Sequence, residues 1–186
     1  MKYKAWQGFY AFPAITVLVI AGLLSGQPAA AEEDSKELRA VVQALGKSKL
    51  SLLNGIQQAT HGSAVALSAK FEMEDGKLSL SVYTAEKGLA VAAEKNVLQE
   101  LSGNPEQNKW TPDVKVFKDV PHVARSAEQL ALMAVGRKSL ADAIGEVQKK
   151  YPGTVFSITP VVSNHRPAVV ILVAQKGKVT TVTQPL

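Results

Sequence analysis

The helix opening Ser51-Leu52-Leu53-Asn54-Gly55-Ile56 returns later in the chain as Ser139-Leu140-Ala141-Asp142-Ala143-Ile144. An internal repeat constrains a fold more than any single motif does, because each copy is one supersecondary unit with the same surface to bury. In the second copy Leu140, Ala143, Ile144 and Val147 fall at i, i+3, i+4 and i+7, and Leu52, Gly55, Ile56 and Ala59 take the same phase in the first. Ser139 with Asp142 fits a capping pair, and Ser51 with Asn54 keeps the cap alone. Each helix breaks at glycine, at His61-Gly62 and at Tyr151-Pro152-Gly153, where Lys149 and Lys150 also suit the negative end of the helix dipole.

Strands are expected after both helices. Val65, Leu67, Ala69 and Phe71 alternate with smaller or polar residues, Glu74-Asp75-Gly76-Lys77 supplies a tight turn, and Leu78, Leu80 and Val82 alternate again. The second copy runs from Thr154 to Val162, turns at Ser163-Asn164-His165-Arg166-Pro167 and continues through the unbroken apolar run Ala168 to Ala174. Such a run predicts a strand covered on both faces, either central in its sheet or meeting the other repeat. Gln175-Lys176-Gly177 turns into a Val- and Thr-rich third strand, Lys178 to Thr183.

A further apolar helix precedes each copy, with Leu38, Val41, Val42 and Leu45 on one face before Gly46, and a stretch from Ala127 to Val135 before Gly136. Leu89 to Leu101 permits strand or helix. Ser102 to Pro121, with Gly103, Pro105, Pro112 and Pro121, reads as a connector holding Trp110 and a short strand at Val114-Lys115-Val116-Phe117. Units of this size without disulfide or metal bury too little surface to stand alone, so the two are expected to pack together. The fold class read from the sequence is α+β. It comprises two tandem modules, 35–104 and 123–186 joined by a connector at 105–122, each a helix or helix pair on a small antiparallel sheet.

The N-terminus points to export. Lys2 and Lys4 precede a stretch without charge from Ala5 to Ala31, most apolar from Phe9 to Leu24. Ala29 and Ala31 then offer the small residues a signal peptidase needs, and Glu32-Glu33-Asp34 reads as the start of the mature chain, so residues 1–31 are assigned as a signal peptide. The competing reading is a retained inner-membrane anchor over residues 9–24. Pro13, Gly22 and Gln27-Pro28 shorten any uninterrupted span. Either way the remainder lies outside the cytoplasm, periplasmic or secreted.

Without residues 1–31 the chain keeps 19 basic against 16 acidic residues, a net of +3, because only Lys2 and Lys4 are lost. No block of like charge occurs, which argues against nucleic acid as a partner. The chain has no cysteine, so thiol chemistry, disulfides and lipid attachment are not expected.

The helix opening with Ser-Leu, the Pro-Gly break and the hairpin strands, in duplicate behind an export signal, resemble the PepSY domain family. The resemblance is closest from Ser139 to Thr183, through Ser139-Leu140-Ala141-Asp142-Ala143-Ile144 and Tyr151-Pro152-Gly153-Thr154-Val155, and weaker from Ser51 to Thr84. It implies an exported or membrane-associated bacterial protein that binds and restrains peptidases, as such domains do in propeptides of thermolysin-like metallopeptidases. No His-Glu-x-x-His accompanies it here, which speaks against a propeptide role in cis.

No motif for catalysis emerges. Gly46-Lys47-Ser48 lacks the glycine a phosphate loop needs five residues earlier, where Val41 stands. His61, His122 and His165 are too scattered to chelate a metal by local spacing. There is neither a Gly-x-Ser-x-Gly elbow nor a Ser-x-x-Lys pair, and Glu72, Glu74 and Asp75 are accounted for by their turn. No catalytic residue, cofactor or metal is assigned.

Tyr83, Trp110, Phe117, His165 and Arg166 are the candidate contacts for a partner; for the aromatics, the alternative is that they seal the two modules together. The resulting expectation is a non-catalytic exported protein that binds or regulates another envelope or secreted protein, with a peptidase among the candidates. The alternatives are an envelope enzyme, or a structural protein, with its site at the interface of the modules.

Overall fold

The computed structural model describes residues 28–186, with side chains from Ser35 onward. The proposed signal segment therefore lies outside the described residues up to position 27. The backbone of Ala29 and Ala31 falls within the first helix, α1 (Pro28–Ala44).

A short 3-10 turn, Leu45–Lys47, links α1 to α2 (Leu52–Ala59). Strands β1 (Val65–Glu74), β2 (Lys77–Ala85) and β3 (Leu98–Gly103) follow, and then β4 (Asp113–Val116). The second half holds α3 (Val120–Val135), α4 (Leu140–Lys150), β5 (Thr154–Ser163), β6 (Arg166–Gln175) and β7 (Lys178–Pro185). Among the described residues two helices and three strands thus occur twice in the same order, and β4 is the strand that has no counterpart.

The caps arise as the sequence dictates. Ser51 accepts from the Asn54 N–H at 3.1 Å, and Ser139 accepts from the Asp142 N–H at 3.1 Å while donating to the Asp142 carboxylate at 2.7 Å. Helix α3 starts earlier than the apolar pattern alone indicates, because Asp119 caps it and Pro121 sits in its first turn.

All seven strands join one antiparallel sheet in the order β4-β3-β2-β1-β5-β6-β7. The α+β class holds, but the strands do not divide into two small sheets: β1 pairs with β5 at Ala69↔Ile158 and Lys70↔Ser157. The physical reason is the edge. Each three-stranded set would otherwise leave its first strand open, and pairing the two covers the middle of both edges at once. The seam strand is β5, so the continuous apolar run of β6 does not meet the other half; β6 lies between β5 and β7.

The helix pair of the second half splits between the two faces of the sheet. On one face Gly55 of α2 lies over Leu80, so closely that a Cβ there would stand 2.3 Å from Leu80 Cδ2. That face carries Ala69, Phe71, Val82 and Ile158. Helix α4 packs on it too, with Gln184 Nε2 donating to the Ala143 carbonyl at 3.1 Å. On the opposite face α3 reaches Ser68, whose hydroxyl donates to Gln129 Oε1 at 3.0 Å in a buried contact. This second face is the more polar: Lys70, Glu72, Ser81 and Tyr83 share it, and Glu72 accepts from both Ser81 and Lys70 at 2.5 Å. A pattern that reads as one covered face is, in the fold, a sheet with helices on both sides.

Hairpin turns fix the registers. Asp75-Gly76, Asn164-His165 and Lys176-Gly177 each place two consecutive residues at positive φ, the conformation that lets a two-residue loop match the strand twist. Two of the three carry glycine at the second position. The third carries His165 at φ 61°, where a side chain is uncommon.

Candidate binding edge of the sheet

The five candidate contact residues divide into two groups. Trp110 and Phe117 are buried, at 6% and 7% exposure, and so offer little surface to a partner. Trp110 packs on the end of β3, its Nε1 only 3.2 Å from where a Cβ on Gly103 would stand. Phe117 stacks on Tyr83 with ring centroids 5.9 Å apart and on His122 at 5.0 Å. Tyr83 lies on β2, Phe117 in the connector and His122 on α3, so the stack ties both halves to the segment between them. His165 and Arg166 sit exposed at the β5–β6 turn, far along the chain from the aromatic stack and not part of it.

The stack has a distinct electrostatic setting. Burial raises the Tyr83 phenol well above its ordinary value of 10.0, and the charges of Glu100 and Glu72 push it further the same way. At the start of α3, His122 Nδ1 lies 2.5 Å from Asp119 Oδ2, and this hydrogen bond holds the Asp119 carboxyl below its ordinary 3.8. Both arrangements favour one protonation state of a group at a helix or strand junction. Among the described residues no three His, Cys, Asp or Glu side chains gather in a way that could hold a metal ion, and no helix is long and apolar enough to cross a membrane.

An open cleft of about 420 Å³ lies where α2, α3 and α4 approach one another, lined by Ile56, Thr60, Met133, Lys138 and Leu140. Its walls are mainly apolar. Lys138 at its rim is engaged by Glu146 at 2.7 Å.

The two outer edges of the sheet differ in a way that matters for binding. At one end β4 pairs with β3 through Gln99↔Val116, Glu100↔Lys115, Leu101↔Val114 and Ser102↔Asp113. As an edge it is short, follows Pro112 and alternates charge with valine, all features that blunt an edge against further pairing. At the other end β7 is twice as long, eight residues against four. From Val179 to Gln184 it carries no charge.

The hydrogen-bonding phase of β7 follows from its turn. In a two-residue hairpin the flanking pair, here Gln175↔Lys178, is hydrogen-bonded, and bonded pairs recur at every second residue. Lys178, Thr180, Val182 and Gln184 therefore turn their backbone groups toward β6. Val179, Thr181 and Thr183 turn both N–H and C=O outward, and among the described residues no other strand pairs with them. Sequence reading locates this strand but not its exposure, because nothing local distinguishes an outer strand from an inner one. The usable signal is negative in form: lysine and proline stand only at the ends of the strand, at Lys178 and Pro185, and no charge, proline or bulge interrupts Val179 to Gln184.

Compared with known proteins, the chain matches no protein family model, no curated protein and no solved structure.

Proposed function

We propose that this is an exported, non-catalytic PepSY-like protein that binds or regulates another envelope or secreted protein, a peptidase among the candidates, by adding a strand of that partner to its sheet. The observation that carries the reading is the bare β7 edge, eight residues long and uncharged through its middle. Backbone pairing supplies affinity in this mode of recognition, and alternate side-chain contacts supply selectivity.

The signal-like pattern of residues 1–31 and the resemblance through Ser139 to Thr183 support this compartment and this class of partner. The test is capture of a partner from an envelope extract by the purified exported protein, compared with its Thr181→Pro variant. Proline at Thr181 removes an outward N–H and leaves the β6 ladder intact, so the variant should retain at least about tenfold less partner, a loss near 1.4 kcal/mol. No retained partner, or equal retention by both forms, would count against strand addition.

A further inference from the structure

We propose that the segment received by β7 is an extended strand running antiparallel to it, in the register that β4 takes on β3. Its apolar residues stand opposite Val182 and Thr180, and an acidic residue stands opposite Lys178. This inference rests on the reading of β7 as the binding edge and specifies what that edge takes.

The two halves correspond strand by strand. Each first strand shifts register at one place, between Ala66 and Ser68 in β1 and between Val155 and Ser157 in β5. Aligning these irregularities makes Ala69 equivalent to Ile158, Phe71 to Pro160 and, through the pairs Phe71↔Leu80 and Pro160↔Val169, Leu80 to Val169. Leu80 faces Gly103 in β3, and Val169 faces Gln184 in β7. Thus Leu98 corresponds to Val179, Glu100 to Thr181, Leu101 to Val182 and Ser102 to Thr183.

The phase agrees as well as the position. The Phe117 N–H donates to the Leu98 carbonyl at 2.9 Å, so Leu98 turns its backbone toward β4, just as the turn geometry makes its counterpart Val179 turn outward. The β3 edge, in effect, displays the occupant that the β7 edge lacks among the described residues. Transferring the β4 register places the equivalent of Val114 opposite Val182 and the equivalent of Val116 opposite Thr180. All of these share the sheet face that carries Ile171 and the α4 contact at Gln184.

One difference between the edges sets the charge. Two residues beyond Val116 the chain has Lys118, which by the same register falls against Val97; the β7 counterpart of Val97 is Lys178, exposed, with Lys176 beside it in the turn. A carboxylate on the incoming strand at this place meets a lysine, whereas a lysine there meets a like charge, and directly opposed like charges disfavour pairing. The pattern expected of the partner is therefore apolar-x-apolar-x-acid. The positions between are free to vary, since Thr181 stands where Glu100 faces Lys115.

The absence of cysteine makes the register directly readable. The probe is a synthetic peptide with the sequence of Thr111 to Lys118 bearing Lys118→Asp, in one version with Val114→Cys and in another with Val116→Cys. Each is mixed with the full chain carrying Val182→Cys or Thr180→Cys in a glutathione redox buffer. Disulfides form only between closely facing Cβ atoms, and both pairs are non-hydrogen-bonded pairs of close approach. The Val114→Cys peptide should cross-link Val182→Cys at least about tenfold more than Thr180→Cys, and the Val116→Cys peptide should show the opposite preference, because disulfide geometry discriminates between positions two residues apart. Restoring Lys118 in the peptide should lower the yield.

Equal cross-linking at both positions, or none, overturns the register. Predominant disulfide dimers of the protein with itself overturn the choice of a partner segment in favour of a second copy. If peptides with and without the Lys118→Asp change react alike, the acidic position is wrong. Should Thr181→Pro abolish capture of an envelope partner while the peptides show no preference, the binding reading stands and this inference alone fails.

Discussion

Ala69 of β1 lies directly across from Ile158 of β5, and each is the third residue beyond the register shift that begins at Ala66 in one strand and at Val155 in the other. Like position faces like position, so a pseudo-two-fold axis runs through this pair and relates the strands on either side.

Both residues are fully buried, and the seam is where the two halves depend on each other. Ile158→Ala should destabilise the whole fold by about 2–5 kcal/mol, the usual cost of truncating a packed core isoleucine. Urea unfolding followed by tryptophan fluorescence and by far-UV circular dichroism should shift by the same amount. A variant in which only one signal moves would mean that the halves melt separately.

Thr180 and Thr181 are adjacent on β7 but turn their N–H groups in opposite directions. Thr181→Pro should change stability little, whereas Thr180→Pro breaks a bond to β6 and leaves a Val173 carbonyl without its donor, costing about 1–3 kcal/mol more. Comparison of the two urea midpoints at equal slope reads the difference. Equal losses would place the outward phase on the wrong residues.

His165 occupies a left-handed position that glycine fills in the other two hairpins. His165→Gly should therefore raise stability by about 1 kcal/mol, the order of the penalty a side chain incurs there. Thermal unfolding should show a higher midpoint, and a lower one would mean that the imidazole makes a compensating contact.

Tyr83 and Asp119 mark opposite ends of the pH scale. The Tyr83 phenol is raised in the fold, so its contribution is fully present below pH 10.0, its ordinary value, and is lost as pH rises beyond it. Tyr83→Phe should flatten the alkaline fall in stability. The Asp119 carboxyl is lowered, so its contribution is present above 3.8 and is lost as pH falls through that value toward the depressed one. His122→Ala should move the Asp119 titration, followed by carboxyl NMR, back up toward 3.8.

What the sequence discloses here is local. The caps at Ser51 and Ser139, the turns at Asp75-Gly76 and Lys176-Gly177 and the helical faces around Ile56 and Ile144 follow from spacing and backbone preference, which act over a few residues. The pairing of Ala69 with Ile158 is not legible, because it joins strands remote in sequence and any apolar strand would satisfy the same pattern. For the same reason the face of Ser68, Ser81 and Tyr83 reads as solvent-facing until α3 is seen to cover part of it through Gln129. For Trp110 and Phe117 the sequence leaves both partner contact and a seal between the halves open, and their burial fits the seal; the choice is not legible locally, because burial inside a connector depends on what lies beneath it. The β7 edge is legible only as a strand, since whether a strand is outermost is decided by the order of the whole sheet.

A two-fold contact between equivalent positions is the relation found in symmetric dimers. In a pair of identical subunits each outer flank would have to match the other, and any strand added to one would be added to both. Covalent continuity lifts that restriction. With β4 closing the first flank and no strand among the described residues closing the second, the molecule has one finished flank and one open one, so any strand it took up would be added at one end alone.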